Sequence, residues 1–302
     1  MFDKVIAQRA KNLIHAKKDN GIVLLDICGG VTPYSNKFNS VDILPDGNPD
    51  FMMDVSKGID FPDNSIDEIV SIATLEHFEF KKFQFVLAEM VRVLKIGGKI
   101  SISTPDVERI SAFVMAKGFL ENYEAVNQNL YALQRDPFDI HRVALSGRFI
   151  LSYLERVGFG QVNPNDLSLN IRHDLELSCR VSAVKESMSR QTDWLSVYRN
   201  SDDVLALAKD DCVRFSCERK NIGFYLPDNF PLSGQKVSIE AFDQGLGEID
   251  IYPGLTEFRL PQHPDLSYFD ISFKFRTSVK PKAKGFGDDE RDIAAFLILK
   301  EW

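Results

Sequence analysis

Short apolar runs alternate with helix-like stretches through the first two-thirds of the chain. Continuous apolar runs bounded by turn residues are typical of buried strands, and apolar residues that recur every three or four positions are typical of amphipathic helices. The runs that predict strands are 22–27, 41–44, 51–53, 66–73, 99–104 and 175–184, and the stretches that predict helices are 83–94 and 146–157. We expect Gly97 and Gly98 to end the first of these helices. This alternation predicts a parallel sheet with right-handed crossovers, which is an α/β fold.

The pattern changes after about Asp211. Phe269, Ile271, Phe273 and Phe275 alternate with polar residues, as the inward-facing positions of a half-buried antiparallel strand do. About seven short strands of this kind, separated by Pro and Gly, predict a β-sandwich or jelly roll.

The chain is therefore expected to have three parts. They are an α/β domain over 1–184, a connector over 185–211 and an all-β sandwich domain over 212–302. The connector is polar but contains Trp194, Leu195, Leu205 and Leu207, which predicts a helix. A length of 302 residues exceeds the usual size of a single domain.

Composition and charge narrow the class of protein. Hydrophobic residues make up 44% of the chain, which is enough for sizeable cores. The net charge of −8 predicts no nucleic-acid partner, because proteins that bind phosphates concentrate Lys and Arg on one face. The four cysteines show neither a disulfide framework nor the spacing of a zinc site. No signal peptide and no apolar run of roughly 20 residues is visible, so we expect a cytoplasmic protein without a transmembrane segment.

Three acidic residues follow three successive predicted strands. Asp26 ends the first strand, Asp42 ends the second, and Asp54 follows the third. Asp26 also leads into a turn whose glycines let a ligand approach the backbone closely. Because the carboxyl ends of parallel strands open onto one crevice, we expect all three carboxylates to contact a ligand. A dinucleotide site would need G-x-G-x-x-G, but the next glycine after Gly30 is Gly47.

These segments resemble the motifs of class I S-adenosylmethionine-dependent methyltransferases of the type 11-like kind. Asp26 and Gly30 match the first motif, whereas Cys28 and Thr32 stand where that motif has two further glycines. The other matching segments are Phe61-Pro62-Asp63-Asn64-Ser65-Ile66-Asp67, Leu75-Glu76-His77-Phe78, the helix end from Glu89 to Gly98, His141 and Gly158-Phe159. The resemblance covers about residues 20–184 and implies a Rossmann-like sheet that binds S-adenosylmethionine.

The resemblance also implies roles for individual residues. Asp42 is expected to accept hydrogen bonds from both ribose hydroxyls of the cofactor, and Asp54 to lie beside its adenine amino group. Asp67, Arg92 and the glycines of the helix end are expected to serve turns, capping and packing. The full set of expected cofactor contacts is Asp26, Cys28, Gly29, Gly30, Asp42, Ile43, Asp54, Val55 and Ala73.

Two of the five histidines occupy family positions near the expected cofactor edge. Methylation of an alcohol removes its proton, and a neutral imidazole is well suited to accept that proton near pH 7. His77 and His141 are therefore the catalytic candidates, and a structural hydrogen-bonding role stays open for each. Glu76 and Asp106 are secondary candidates, as bases or as ligands of an optional divalent ion, although the sequence shows no dedicated metal motif.

Two further resemblances concern the acceptor. Residues 41–78 resemble methyltransferases of surface-polysaccharide biosynthesis, and residues 287–294 resemble part of the β-sandwich modules of bacterial glycan-modifying transferases. They imply O-methylation of a sugar in a surface glycan or a lipid-linked saccharide, and peripheral association with membrane glycan-assembly enzymes. Two alternatives stay open: methylation of a small metabolite, and a non-catalytic binding protein with a degenerate methyltransferase domain. Aromatic candidates for stacking on sugar faces are Tyr225, Tyr252, Tyr268 and Trp302.

Overall fold

Two compact units make up the chain. Residues 6–190 form one unit, and residues 191–302 together with residues 1–5 form the other. The computed structural model describes residues 2–169, 176–187, 199–201, 204–207, 210–216, 220–228, 230–232, 234–241, 244–260, 268–280, 283 and 293–298.

The first unit is built on a seven-stranded sheet. Its strand order is β3-β2-β1-β4-β5-β7-β6, in which β3, β2, β1, β4 and β5 pair in parallel and β7 pairs antiparallel with both β5 and β6. The strands are β1 (Leu24–Ile27), β2 (Asn39–Asp42), β3 (Phe51–Met52), β4 (Ile66–Ile72), β5 (Leu94–Pro105), β6 (Phe159–Asn163) and β7 (Ser178–Lys185). The prediction of a Rossmann-like α/β sheet is confirmed.

Helices accompany the sheet. The described ones are α1 (Phe2–His15), α2 (Phe80–Val93), α3 (Val107–Lys117), α4 (Tyr123–Tyr131) and α5 (Gly147–Arg156). Ile69 of β4 and Ile100 of β5 are fully buried, as expected for central strands covered on both faces. Phe83 and Leu87, four positions apart on α2, are buried as well. No helix within the described ranges is long and apolar enough to cross a membrane.

Helix α2 ends earlier than its glycines predict. The chain leaves the helix at Leu94, which already pairs with Ile66 of β4. Gly97 and Gly98 lie inside β5, where Gly97 has a φ of 84° and a Cβ on Gly98 would come within 2.9 Å of the Asp67 carbonyl oxygen. The expectation that the two glycines end the helix is therefore wrong. They allow β5 to pack closely against the start of β4.

A buried ionic network joins α2 to the segment before β4. Arg92 donates to both carboxylate oxygens of Glu89 at 2.6 and 2.7 Å and to Asp63 at 2.6 Å. It also donates to the carbonyl oxygens of Phe61 and Ile59. A buried guanidinium needs such a full set of acceptors. The structural role expected for Arg92 is confirmed.

Helices α3 and α4 lie between β5 and α5 and have no clear signal in the sequence. Asp106 caps α3, because its Oδ1 accepts hydrogen bonds from the amides of Glu108 (2.9 Å) and Arg109 (3.1 Å). Ile110 of α3 and Val126 of α4 are buried in one small cluster. Many of the other apolar side chains in this region are exposed, which hides the helical period.

The second unit contains two antiparallel sheets. A four-stranded sheet has the order β10-β15-β12-β13, and a five-stranded sheet has the order β14-β11-β16-β9-β8. The described strands are β8 (Arg199–Ser201), β9 (Val204–Leu207), β10 (Asp210–Ser216), β11 (Asn221–Leu226), β12 (Gln235–Ala241), β13 (Gln244–Ile251), β14 (Gly254–Arg259), β15 (Tyr268–Phe275) and β16 (Ala295–Ile298).

Both sheets contribute to one apolar core. Ile271, Phe273 and Phe275 of β15 are buried, as their alternation predicts. The Phe273 ring meets the Phe224 ring of the other sheet edge to face, with centroids 5.3 Å apart. Core residues from two facing sheets define a sandwich, so the all-β prediction is confirmed.

The prediction of a helical connector over 185–211 is wrong for its described second half. Residues 199–201 and 204–207 are the strands β8 and β9, and β9 pairs with β16. Leu207 is fully buried in the sandwich core. Pairing with β16, about 90 residues further along the chain, outweighs the local helical pattern. The pattern of a short sequence window does not reveal such a distant partner. Trp194 and Leu195 lie outside the described residues.

Candidate functional site

The carboxyl ends of β1, β2 and β4 lie at one edge of the sheet. β1 lies between β2 and β4, so the strand order changes direction there, and a crevice opens at such a switch point. The Thr74 hydroxyl, just past β4, donates to the Ile27 carbonyl oxygen at the end of β1 over 3.0 Å. Thr74 was not among the sequence candidates, although its place directly after a predicted strand was a usable signal.

The turn after β1 needs its small residues. A Cβ on Gly29 would collide with the Asp26 carboxylate, whereas a Cβ on Gly30 would meet nothing within 4 Å. Gly30 has a φ of 60° and Cys28 a φ of 57°, so the turn keeps a left-handed conformation even where it lacks a glycine. Asp26 is buried and accepts a hydrogen bond from the Tyr34 amide at 2.7 Å. The Cβ side of Gly30 therefore faces open space, whereas its carbonyl group packs against Gly47.

Asp42 ties this turn to the end of β2. Its Oδ2 accepts from the Gly30 amide at 3.0 Å, and its Oδ1 accepts from the Leu44 amide at 2.9 Å. A carboxylate oxygen has two lone pairs, so both oxygens can still accept a bond from a ligand. The neighbouring Ile43 side chain is 39% exposed, which leaves an apolar surface beside the carboxylate.

Asp54 caps the short 3₁₀ turn Val55–Lys57. Its Oδ1 accepts from the Ser56 amide at 3.0 Å, and its Oδ2 lies 3.6 Å from the Lys57 ammonium. The Asp54 carboxylate remains partly exposed and can accept a further hydrogen bond. The Val55 side chain is buried, so a ligand could contact only its backbone.

The turn carries a surplus of negative charge, because Lys57 beside Asp54 is the one cation paired with its three carboxylates among the described residues. Burial raises the pKa of Asp26 to about 6, and the nearby Asp42 carboxylate adds to that effect. Burial also raises the pKa of the Cys28 thiol, and Asp42, Asp26 and Asp54 raise it further. The three carboxylates therefore all lie close enough to Cys28 to raise the pKa of its thiol, as their positions after successive strands predict. A ligand with positive charge would relieve this repulsion.

A second group of polar residues lies beyond β4. Glu76, His77 and His141 form a cluster, here called the Glu76–His77–His141 cluster, in which one potential ligand atom from each residue lies within 4.8 Å of the others. The two imidazole centroids are 4.8 Å apart. The Arg142 amide donates to the Glu76 carbonyl oxygen at 2.7 Å, which brings the segment of His141 to the end of β4.

Glu76 is an almost fully buried acid. Burial raises the pKa of its carboxyl group to about 7, against the smaller opposing effects of nearby amides and of the Thr104 hydroxyl. That hydroxyl donates to Oε2 at 2.9 Å. Thr104, at the end of β5, was not singled out in the sequence.

Both imidazoles of the cluster are held by backbone carbonyls. His77 Nδ1 lies 3.2 Å from the Ile140 carbonyl oxygen, and His141 Nδ1 lies 2.9 Å from the Asn129 carbonyl oxygen. A carbonyl can only accept, so each Nδ1 carries the hydrogen and each Nε2 of the neutral ring keeps its lone pair. Burial lowers the pKa of His77 and of His141, which favours the neutral form of both rings.

Two other candidates have defined structural contacts. Ala73 has a left-handed φ of 50°, and its amide donates to the Ser103 carbonyl oxygen of β5 at 2.8 Å. The second oxygen of the Asp106 carboxylate accepts from the Gly147 amide at 2.9 Å, in addition to its capping bonds on α3. Asp106 therefore joins α3 to α5, and its backbone partners leave it poorly suited to act as a base.

Comparison with known proteins supports an enzyme class. Residues 12–102 match the family model described as a methyltransferase domain. The match includes every expected cofactor residue and His77, and it ends before His141. The domain match and the seven-stranded sheet together support an S-adenosylmethionine-dependent methyltransferase, with S-adenosylmethionine as its cofactor. No curated protein sequence matches the chain significantly.

Solved structures similar to the chain include several methyltransferases. One is an S-adenosylmethionine-dependent methyltransferase, possibly a histamine N-methyltransferase, from Thermotoga maritima, with 12% identity, a TM-score of 0.38, and coverage of 60% of this chain and 89% of that one. Another is an S-adenosylmethionine-dependent methyltransferase from Methanosarcina mazei, with 18% identity, a TM-score of 0.38, and coverage of 57% and 96%. A third, from Archaeoglobus fulgidus, has 16% identity, a TM-score of 0.34, and coverage of 61% and 94%.

The turn after β1 fits S-adenosylmethionine chemically. The open Cβ side of Gly30 leaves room for a ligand, and Asp42 keeps free lone pairs for hydroxyl groups. The surplus negative charge around Asp26 suits a ligand that carries a sulfonium and an ammonium group.

Proposed function

We propose that this enzyme methylates a hydroxyl group of a sugar in a surface glycan or lipid-linked saccharide. When bound, S-adenosylmethionine supplies a methyl group activated by a sulfonium. The chain then has to hold the cofactor, align the hydroxyl and take up its proton. The observation that carries the proposal is the Glu76–His77–His141 cluster, which holds two neutral imidazoles at the carboxyl edge of the sheet.

The cofactor contacts follow the turn of residues 28–30 after β1 with Asp26, Asp42 and Asp54 around it, here called the acid-lined turn. Asp42 accepts the ribose hydroxyls, and Asp54 lies beside the adenine amino group. Ile43 and the backbone of Val55 flank the adenine, and Ala73 lies at the end of β4. The backbone of residues 28–30 and the Asp26 carboxylate hold the remaining, positively charged part. The intact left-handed turn at Cys28 supports cofactor binding over a degenerate domain, because it keeps the backbone conformation without the expected glycine.

His77 or His141 accepts the proton of the acceptor hydroxyl. In each ring Nδ1 is occupied by a backbone carbonyl, so Nε2 is the atom that can take the proton. Because burial lowers the pKa of both rings, they are in the basic form at neutral pH. General-base catalysis of this kind contributes about 10²–10⁴-fold to the rate.

Exposed apolar side chains on and around α4, the helix that contacts His141, support a lipid-linked acceptor. Helix α4 carries the Asn129 carbonyl that holds His141, so the segment around α4 adjoins the cluster. Such a surface suits a lipid chain and peripheral contact with membrane glycan-assembly enzymes. The large apolar side chains exposed here are Met115, Phe119, Leu120, Tyr123, Tyr131, Leu133 and Phe138.

The sandwich is proposed to recognise the glycan. Tyr225 and Tyr252 are exposed there and can stack on sugar faces. The side chain of Tyr268 and the whole of Trp302 lie outside the described residues. Most of the segment 287–294 also lies outside them, so its resemblance to glycan-modifying transferases stays a prediction.

An acceptor panel tests the proposal. The full chain is incubated with methyl-labelled S-adenosylmethionine and, in separate reactions, with a lipid-linked saccharide, the matching free sugar and small amine or phenol metabolites. We expect label on a sugar oxygen, with the lipid-linked acceptor favoured over the free sugar. Label on small metabolites alone would support the alternative of a metabolite methyltransferase. Cofactor binding without transfer to any acceptor would contradict the proposed sugar methylation.

A further inference from the structure

Glu76 leaves one oxygen atom of a buried carboxylate without a hydrogen-bond donor. Its side chain is 2% exposed, and the Thr104 hydroxyl occupies only Oε2. Among the described residues Oε1 accepts no hydrogen bond, although the backbone amides of Thr74 and Glu76 lie near the carboxylate. His141 Nε2 lies 4.0 Å from Oε1. This buried carboxylate has an unused lone pair and no Lys or Arg partner among the described residues. Such a group lowers the stability of the fold unless a cation or a proton binds to it.

His141 places its Nε2 4.0 Å from Glu76 Oε1, and His77 offers a ring nitrogen within 4.8 Å of the ligand atoms of the other two residues. Each Nδ1 lies against a backbone carbonyl oxygen, that of Ile140 for His77 and that of Asn129 for His141. The Phe138 carbonyl also lies near the His77 ring. Histidines that bind metals usually have such an acceptor on the other ring nitrogen, because it fixes the tautomer and orients the ring.

We propose that Glu76, His77 and His141 bind a divalent first-row transition-metal ion. Two imidazoles and one carboxylate form a ligand set that such ions accept, whereas Mg²⁺ and Ca²⁺ prefer oxygen ligands alone. Metal–ligand distances of about 2.0–2.2 Å require ligand atoms roughly 3–4 Å apart. The ligand atoms of the cluster lie within 4.8 Å of one another. Small side-chain rotations that move each ligand atom by less than about 1 Å would therefore complete the site.

Three protein ligands leave coordination positions open for an acceptor hydroxyl. A hydroxyl that coordinates such a cation becomes a stronger acid, so it loses its proton to water more readily. This consequence rests on the proposed function, whereas metal binding itself does not. An Nε2 atom that ligates the ion cannot accept a proton at the same time. In the metal-loaded protein the ion therefore activates the hydroxyl, and an imidazole acts as the base only in the metal-free protein.

Metal titrations of the full chain test the site without cofactor or acceptor. The protein is stripped with EDTA, dialysed and titrated with Zn²⁺ and Mn²⁺ by calorimetry and with Co²⁺ by its visible absorption bands. We expect one ion per chain and much weaker binding of Mg²⁺ and Ca²⁺. Glu76→Gln and His141→Asn should each lose about 100-fold or more in affinity, since loss of a mere outer contact already costs 10–100-fold. Circular dichroism checks that each variant is folded.

His15→Ala is the matched control, because His15 is exposed on α1 and should leave the metal affinity unchanged. A parent protein that binds none of the three transition ions overturns the proposal. Equal affinity in the parent and in both cluster variants also overturns it. Metal binding with the expected loss in the variants, but no methyl transfer to a sugar, would uphold the metal site and refute the sugar acceptor.

Discussion

The two units of the chain bury different kinds of side chain. In the first unit, carboxylates are buried where strands end, as at Asp26, Asp42 and Glu76. In the described part of the second unit, Gln235 is the one buried polar side chain, and its amide is paired with the backbone of Thr277 and Ala294. Buried carboxylates cost stability and apolar cores provide it. The buried carboxylates on which the proposed site depends therefore belong to the first unit.

The largest expected effect is on the rate of methyl transfer. Of His77→Ala and His141→Ala, the variant that removes the base should lower turnover by about 10²–10⁴-fold. Both variants should lower turnover if the two rings ligate an ion. Cofactor affinity should stay near that of the parent, because both rings lie outside the acid-lined turn. Initial rates with the best acceptor of the panel measure the effect, with His15→Ala as control. Near-parental turnover in both variants would show that the cluster takes no part in catalysis.

The next largest effect is on the stability of the second unit, and it tests whether the two units fold independently. Phe273→Ala empties the centre of the sandwich, where its ring meets Phe215, Phe224 and Phe275, and should destabilise the second unit by about 3–5 kcal/mol. Binding of S-adenosylmethionine should be unaffected. Urea unfolding combined with calorimetry measures both quantities.

Tyr252→Ala is the control for that experiment. Its side chain is 62% exposed, so its stability should change by no more than about 0.5 kcal/mol. If Phe273→Ala abolishes cofactor binding, the two units do not fold independently.

A third prediction concerns the stability cost of the buried carboxyl group of Glu76. Its pKa of about 7 in the folded chain lies above the ordinary value of 4.5, so the folded state holds the proton more tightly. Stability should therefore fall as the pH rises from about 4.5 to 7 and level off above that. Glu76→Gln cannot ionise and should be more stable than the parent by about 3 kcal/mol at pH 8.

The gain of Glu76→Gln should vanish at pH 4, where the parent carboxyl group is protonated. Urea unfolding in the presence of EDTA measures it at both pH values. Glu79→Gln, at an exposed position three residues away, serves as control. Identical pH profiles for Glu76→Gln and the parent would mean that the Glu76 carboxylate is compensated in the folded chain.

The sequence predicted the strands in which buried positions follow a regular pattern. The runs 66–73 and 99–104 are rich in Ile and Val at the positions that β4 and β5 bury, such as Ile69, Val70, Ile100 and Ile102. Residues 269–275 alternate because β15 is covered on one face. The prediction failed over 199–207, where the strand pairs with residues far along the chain. It also missed α3 and α4, because their exposed apolar residues, such as Met115, blur the helical period.

The members of the candidate site could be predicted one by one, but their arrangement could not. The acids after β1, β2 and β3 were found because parallel strands place such residues at one edge. Glu76 and His141 are separated by 65 positions, and they meet through a backbone bond from Arg142 that no motif records. The capping bonds of Asp106 likewise depend on the positions of α3 and α5.

The central claim is that the acid-lined turn of the first unit binds S-adenosylmethionine through Asp42. Calorimetric titration of the cofactor into the parent, Asp42→Asn and the exposed control Asp46→Asn tests it most directly. The account predicts one site in the parent and an unchanged affinity in Asp46→Asn. In Asp42→Asn it predicts a loss of about 1.5–3 kcal/mol, roughly 10- to 150-fold, because the hydroxyls lose a charged acceptor. No binding to the parent, or equal binding to folded Asp42→Asn, would contradict it.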